Sequence, residues 1–114
     1  MISFACKAVD LKDLVMCSFG LTKGEYKLLV YLMDKKEEKT IIELAKITKV
    51  DRSTAQKNIG GLLQKKLVLR RQMNQETGGY SYYYHVIGKK VIKDKITKIM
   101  ESWTENVVES IREW

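Results

Sequence analysis

The chain has 114 residues, 45% hydrophobic and 31% charged, and carries a net charge of +7. That is enough for one domain with a modest core and too little for a binding domain joined to a separate catalytic one. No apolar run reaches the roughly 18 residues that span a bilayer, and the N-terminus lacks the basic flank and apolar stretch of a signal peptide, so a cytoplasmic chain with no membrane partner is expected.

In chain order, Phe4, Val9, Leu11, Leu14, Val15 and Cys17 recur at helical spacing and predict a first helix over residues 4–17, within an N-terminal helical segment 1–19. "TKGE" then reads as a capping box, Thr22 offering its hydroxyl and Glu25 reaching back. Behind it, Tyr26, Leu29, Val30 and Met33 form one face of a second helix ending near Asp34. "KKEEK" reads as a charged turn. "TIIE" repeats the capping device at Thr40 and Glu43, and opens a short helix that runs to about Thr48. Asp51 is a further N-cap, after which Ala55, Ile59, Leu62 and Leu63 make a third apolar stripe. Two short helices about three residues apart, each with its own cap, predict a helix-turn-helix.

"LVLRRQM" and "YSYYYHVI" are β-branched and aromatic runs flanking the loop "NQETGG", which predicts a hairpin. From Lys89 to Trp114 neither Gly nor Pro interrupts, and Ile92, Ile96, Ile99, Trp103, Val107, Ile111 and Trp114 step by three or four, a helix of about 39 Å. The expected fold is mainly α (α+β), a winged helix-turn-helix over residues 20–88 with a two-stranded wing and a long C-terminal helix over 89–114.

The charge is unevenly placed. Between residues 44 and 72, Lys46, Lys49, Arg52, Lys57, Lys65, Lys66, Arg70 and Arg71 stand against Asp51 alone, an excess equal to the net charge of the whole chain. Such concentration suits a polyanion-binding surface, with a merely solvated basic face as the alternative. On a helical wheel, the side opposite Ala55, Ile59, Leu62 and Leu63 holds Ser53, Thr54, Lys57, Gly60, Gly61 and Gln64. It bears no carboxylate and nothing bulky and apolar, as a helix lying in the major groove requires. Arg52, Ser53, Gln56 and Lys57 are the candidates for reading bases. Thr54, Lys46, Lys49, Arg70 and Arg71 are the candidates for phosphate. The two glycines are expected to thin the helix at the sugar–phosphate wall, so that replacing both by Glu would spare folding and abolish binding; alternatively the helix bends or ends near Gly60.

With these segments in view, "LTKGEYKLLVYLM", "TIIELAKITKVDRSTAQKNIGGLLQKKLVLR" and "GGYSYYYHV" resemble the helix, helix-turn-helix and second wing strand of winged-helix transcription regulators of the MarR and archaeal TrmB-like type. The resemblance covers about residues 20 to 88 and implies DNA binding. Two departures stand out: Lys66 occupies the place where such proteins usually put a glycine, and the wing loop has no base, which argues against its reading the minor groove.

One winged-helix unit is complete by about Gly88, and each of two tryptophans could bury about 200 Å². A homodimer packing through Ile96, Ile99, Trp103, Val107, Ile111 and Trp114 is therefore expected, two recognition helices meeting a pseudo-palindromic double-stranded DNA site. The alternative is a helix folded back on its own domain. Cys6 and Cys17 are too far apart in sequence for a metal knuckle and read as buried, reduced thiols. With them and a single histidine, His85, no enzyme, metal or cofactor is expected. A small-molecule effector would bind between the DNA-binding units and the dimer helices, or act on the thiols. Two other functions stay open, a winged-helix protein–protein adaptor and an architectural protein that coats duplex with little sequence preference.

Overall fold

The computed structural model describes residues 2–114, which fall into two units. Residues 21–87 form one; the other joins the stretch up to Gly20 to residues 88–114.

The elements before the larger unit are β1 (Ile2–Ser3), β2 (Ala8–Val9) and α1 (Leu11–Phe19). Helix α2 (Lys23–Lys35) starts on the expected capping box: the Glu25 amide donates to Thr22 Oγ1 at 3.1 Å and the Thr22 amide to Glu25 Oε1 at 2.8 Å. The same device opens α3 (Ile41–Thr48), through Thr40 and Glu43. Helix α4 (Arg52–Gln64) starts at Asp51, whose carboxylate accepts the Thr54 amide at 2.7 Å. Leu28, Leu29 and Leu32 of α2, Leu44 of α3 and Ala55, Ile59 and Leu62 of α4 are buried and form one core; on α2 the buried face differs from the predicted one, since Val30 is exposed and Tyr26 and Met33 are half-buried. The predicted helix-turn-helix is there, and α4 runs past Gly60 without a break.

Strands β3 (Val68–Asn74) and β4 (Tyr80–Val86) pair antiparallel from Val68↔Val86 to Asn74↔Tyr80. Because Asn74 joins the ladder, the loop shrinks to residues 75–79, turned by Gly78 and Gly79 at φ of 92° and 80°. The "KKEEK" segment is more than a turn. Lys39 and Tyr84 exchange backbone hydrogen bonds of 3.1 and 2.9 Å, adding a one-residue third strand that holds the wing to the α2–α3 connection.

Three helices of this unit end without glycine. Lys36, Lys49 and Lys66 take left-handed φ values of 56°, 57° and 61°. Lys66 thus makes the turn that a glycine would make more cheaply, since an L-residue pays about 1–2 kcal/mol there. Lys66→Gly is expected to raise the unfolding free energy by about 1 kcal/mol in denaturant titrations.

Glu25 is buried, and its carboxylate is drawn between α2 and the end of α4: Lys65 Nζ lies 3.0 Å from both of its oxygens. Burial pushes its pKa up, but the Thr22 hydrogen bond and the Lys65 ammonium outweigh burial and hold it below the ordinary 4.5. A folded-state pKa below the unfolded one stabilises fully above the unfolded value and loses that contribution as pH falls through the folded value. Unfolding free energy measured at pH 7, 5 and 3.5 should therefore drop at the acid end, and drop less steeply in Glu25→Gln.

The smaller unit departs from expectation at its start. Residues 4–9 are not helical: Ile2–Ser3 pairs with Ala8–Val9, and the turn closes through Phe4 N–H to Lys7 O at 2.7 Å. The helix begins only at Leu11, because Asp10 is extended and caps it by accepting the Asp13 amide at 2.8 Å. Gly20, at φ 65°, ends it. Cys6 and Cys17 are exposed, not buried: one sits in the hairpin turn and the other on the outer side of α1. The long helix α5 (Lys89–Glu113) is present as predicted, with α1 against it. Among the described residues, no helix is long and apolar enough to cross a membrane.

Candidate nucleic-acid interface

The outer face of α4 is built by its inner one. Ala55, Ile59 and Leu62 are fixed in the core, which leaves Arg52, Ser53, Thr54, Gln56 and Lys57 exposed over the first turns, and Gly60 and Gln64 beyond them. No acidic residue lies in the first turn. The N-cap carboxylate of Asp51 is engaged by Thr54, which holds its pKa below the ordinary range. Asp51 thus stays ionised at the helix start, while Arg52 and Lys57 are the charged groups on the outer face of the helix itself. Lys46 on α3 and Lys49 in the turn are exposed as well. Lys49 terminates α3, its amide reaching Lys46 O at 3.3 Å.

Gly61 does not belong to that face. A Cβ built there would overlap the Glu25 carboxylate and come within 2.8 Å of its Cδ, whereas one at Gly60 would meet nothing within 4 Å. Only Gly60 can serve the outer surface. At Gly61 the Glu25 side chain of α2 lies against α4, so the expectation that both glycines could become Glu without harm to folding is corrected for Gly61.

The two wing arginines have separate surroundings. Arg71 makes a forked ion pair with Glu38, Nη2 to Oε2 at 2.6 Å and Nε to the two oxygens at 3.0 and 3.2 Å, and lies 5.6 Å from the Tyr83 ring centroid. That pairing raises the Arg71 pKa and lowers that of Glu38. Arg70, on the opposite face of β3, stacks 4.2 Å from the Tyr82 ring. Arg71 reaches a phosphate only by leaving Glu38, while Arg70 stays bound to the protein through a ring face that a phosphate does not compete for.

Sequence reasoning passed over the tyrosines. Thr40, Ile41, Ile42, Arg52, Gln56, Tyr80, Ser81, Tyr82 and Tyr84 line a crevice of about 330 Å³ between the starts of α3 and α4 and strand β4. Two base-reading candidates, Arg52 and Gln56, thus stand beside wing aromatics. The signal available was the period-two spacing of Tyr80, Tyr82 and Tyr84, which puts all three on one face of the strand.

On α5, Ile96, Ile99 and Val107 are half-buried within the single chain, while Trp103, Ile111 and Trp114 are 53%, 61% and 103% exposed.

Comparison with known proteins places this arrangement. The family description "DnaD N-terminal domain" matches residues 11–107. An uncharacterized protein of Methanocaldococcus jannaschii, MJ1503, is 30% identical over 99% of this chain and 85% of its own length. Transcription factor E of Pyrococcus horikoshii is 31% identical over 84% of this chain, which spans 56% of that protein. Among solved structures, a possible transcriptional regulator from Methanosarcina mazei Go1 is 32% identical, with a TM-score of 0.92 over 100% of this chain and 96% of that one. The S. aureus MepR–DNA complex, at 22% identity and a TM-score of 0.59 over 89% and 83% of the two chains, shares the fold. The chain belongs to the DnaD N-terminal domain family, and its fold is that of winged-helix regulators.

Proposed function

We propose that this member of the DnaD N-terminal domain family is a sequence-specific regulator of transcription, of the MarR or archaeal TrmB-like type, that binds double-stranded DNA as a homodimer with α4 in the major groove. The observation that carries the reading is the exposed outer face of α4, free of carboxylates and rich in short hydrogen-bonding side chains and cations. Arg52, Ser53, Gln56 and Lys57 read base edges; Thr54, Lys46, Lys49 and Arg70 hold phosphates, and Arg71 joins them when Glu38 releases it. Two such faces on one homodimer meet a pseudo-palindromic site with half-sites about one helical turn apart. The likeness to a possible transcriptional regulator over the full chain supports this.

A second reading, an adaptor in a transcription assembly, draws on the similarity to a protein named Transcription factor E. Selection of bound genomic fragments followed by a salt titration separates the two. A regulator keeps an advantage of about 10³ or more for its own site at ~100 mM salt. An adaptor has no appreciable duplex affinity there, and a protein that merely coats DNA shows a steep salt slope with no preference.

A further inference from the structure

We propose that α5 pairs antiparallel with α5 of a second copy of the chain, with the two-fold axis at Trp103. This rests on the homodimer reading and adds the orientation and register that it lacks.

The spacing carries the first argument. Counted from Trp103, the apolar stripe lies 4, 7 and 11 residues back, at Ile99, Ile96 and Ile92, and 4, 8 and 11 residues on, at Val107, Ile111 and Trp114. A regular heptad seam alternates steps of three and four and is not symmetric about any of its members. Here the step is four on both sides of Trp103, so the stripe reads nearly the same in both directions. Antiparallel helices with their axis at Trp103 bring Ile99 opposite Val107 and Ile92 opposite Trp114, and seat Ile96 against Ser110 and Ile111. Every large apolar side chain of the stripe then has an apolar counterpart.

Charge carries the second. Residues 89–98 hold five lysines and one Asp, and residues 99–114 hold four glutamates and one Arg. A parallel pair would stack lysines on lysines and glutamates on glutamates. The antiparallel pair sets each end against its opposite. On the helical wheel Lys95 and Glu113 flank the apolar stripe on the same side, and an axis at Trp103 sets Lys95 of one helix beside Glu113 of the other.

Exposure carries the third. Along α5 the stripe runs from buried Ile92 through half-buried Ile96 and Ile99 to fully exposed Trp114. Beside it, Leu14 of α1 and Ile96, Thr97, Met100 and Thr104 of α5 line an open groove of about 510 Å³. The groove flanks the proposed axis, where the partner's Trp103 can enter it. Reversing the partner thus lays the uncovered C-terminal half of one helix along the half that α1 already shields in the other.

Spin labels test the orientation. In a Cys6→Ser/Cys17→Ser chain, in which both replaced thiols were exposed, a label attached through Glu113→Cys should report a separation of about 30 Å, twenty residues of rise. A separation of roughly 10 Å means a parallel pair and overturns the proposal while leaving the homodimer intact. A monomer at tens of micromolar overturns both. The charges give an independent readout. Lys95→Glu should raise the dimer dissociation constant at least about fivefold at low salt, and adding Glu113→Lys should restore it to within about twofold. In a parallel pair the first change only swaps one like-charge contact for another, so an unchanged dissociation constant also overturns the proposal.

Discussion

Lys57→Glu is expected to lower affinity for duplex DNA about a hundredfold at ~100 mM salt without altering the folded state. Lys57 is exposed on the outer face of α4, one turn from Ser53, and among the described residues it makes no ion pair with a carboxylate. Reversal removes one cation from the interface and turns an anion toward phosphate where no neighbouring acid now stands. The slope of log affinity against log salt should shrink by about one to two, the signature of a lost phosphate contact and an added repulsion. Mobility shifts at three salt concentrations measure both quantities, and circular dichroism checks the fold. Arg71→Ala gives the contrast. Its guanidinium is already neutralised by Glu38, so its loss should weaken binding only a few-fold. If Lys57→Glu binds like the parent, or Arg71→Ala proves the more damaging, α4 is not the DNA-facing helix.

What could be read from the sequence was local. Thr22, Thr40 and Asp51 announce three helix starts because a cap and its partner lie within three residues of each other, and all three caps form. The stripe of α4 predicts its part of the core for the same reason, whereas on α2 the predicted face was rotated: Val30 is exposed, and Leu28 and Leu32 are buried beside Leu29. The errors come from partners far apart in the chain. Nothing near Arg71 points to Glu38, 33 residues earlier, nor does anything near Lys39 point to Tyr84. The N-terminal hairpin is a local error of another kind: Phe4 and Val9, five residues apart and off the period of a helix, were joined to the real stripe of α1, although Asp10 was as good a cap as the others. Of the proposed interface, the wheel separates Lys57 and Ser53 from the core correctly, since that depends on α4 alone. It misplaces Gly61 because the Glu25 side chain that lies against it belongs to another helix.

Gly61→Ala and Gly60→Ala, neighbours in one helix, are expected to change stability in opposite directions. At Gly60 an added Cβ meets nothing, so alanine should stabilise by about 1 kcal/mol through its better helix propensity. At Gly61 the methyl would occupy the space of the Glu25 carboxylate. A flexible side chain could ordinarily swing aside, but Glu25 is pinned at two points, by the Thr22 amide at 2.8 Å and by Lys65 Nζ at 3.0 Å. Moving it gives up a cap of about 1 kcal/mol and breaks a largely buried ion pair, for a net loss of about 2–4 kcal/mol. Denaturant unfolding of both variants measures the difference. The cause is isolated by repeating Gly61→Ala in a Glu25→Ala background, where the carboxylate is already gone: the loss should vanish there and turn into a small gain. A loss that persists without Glu25 would mean that the backbone of α4, and not that carboxylate, demands glycine at this position.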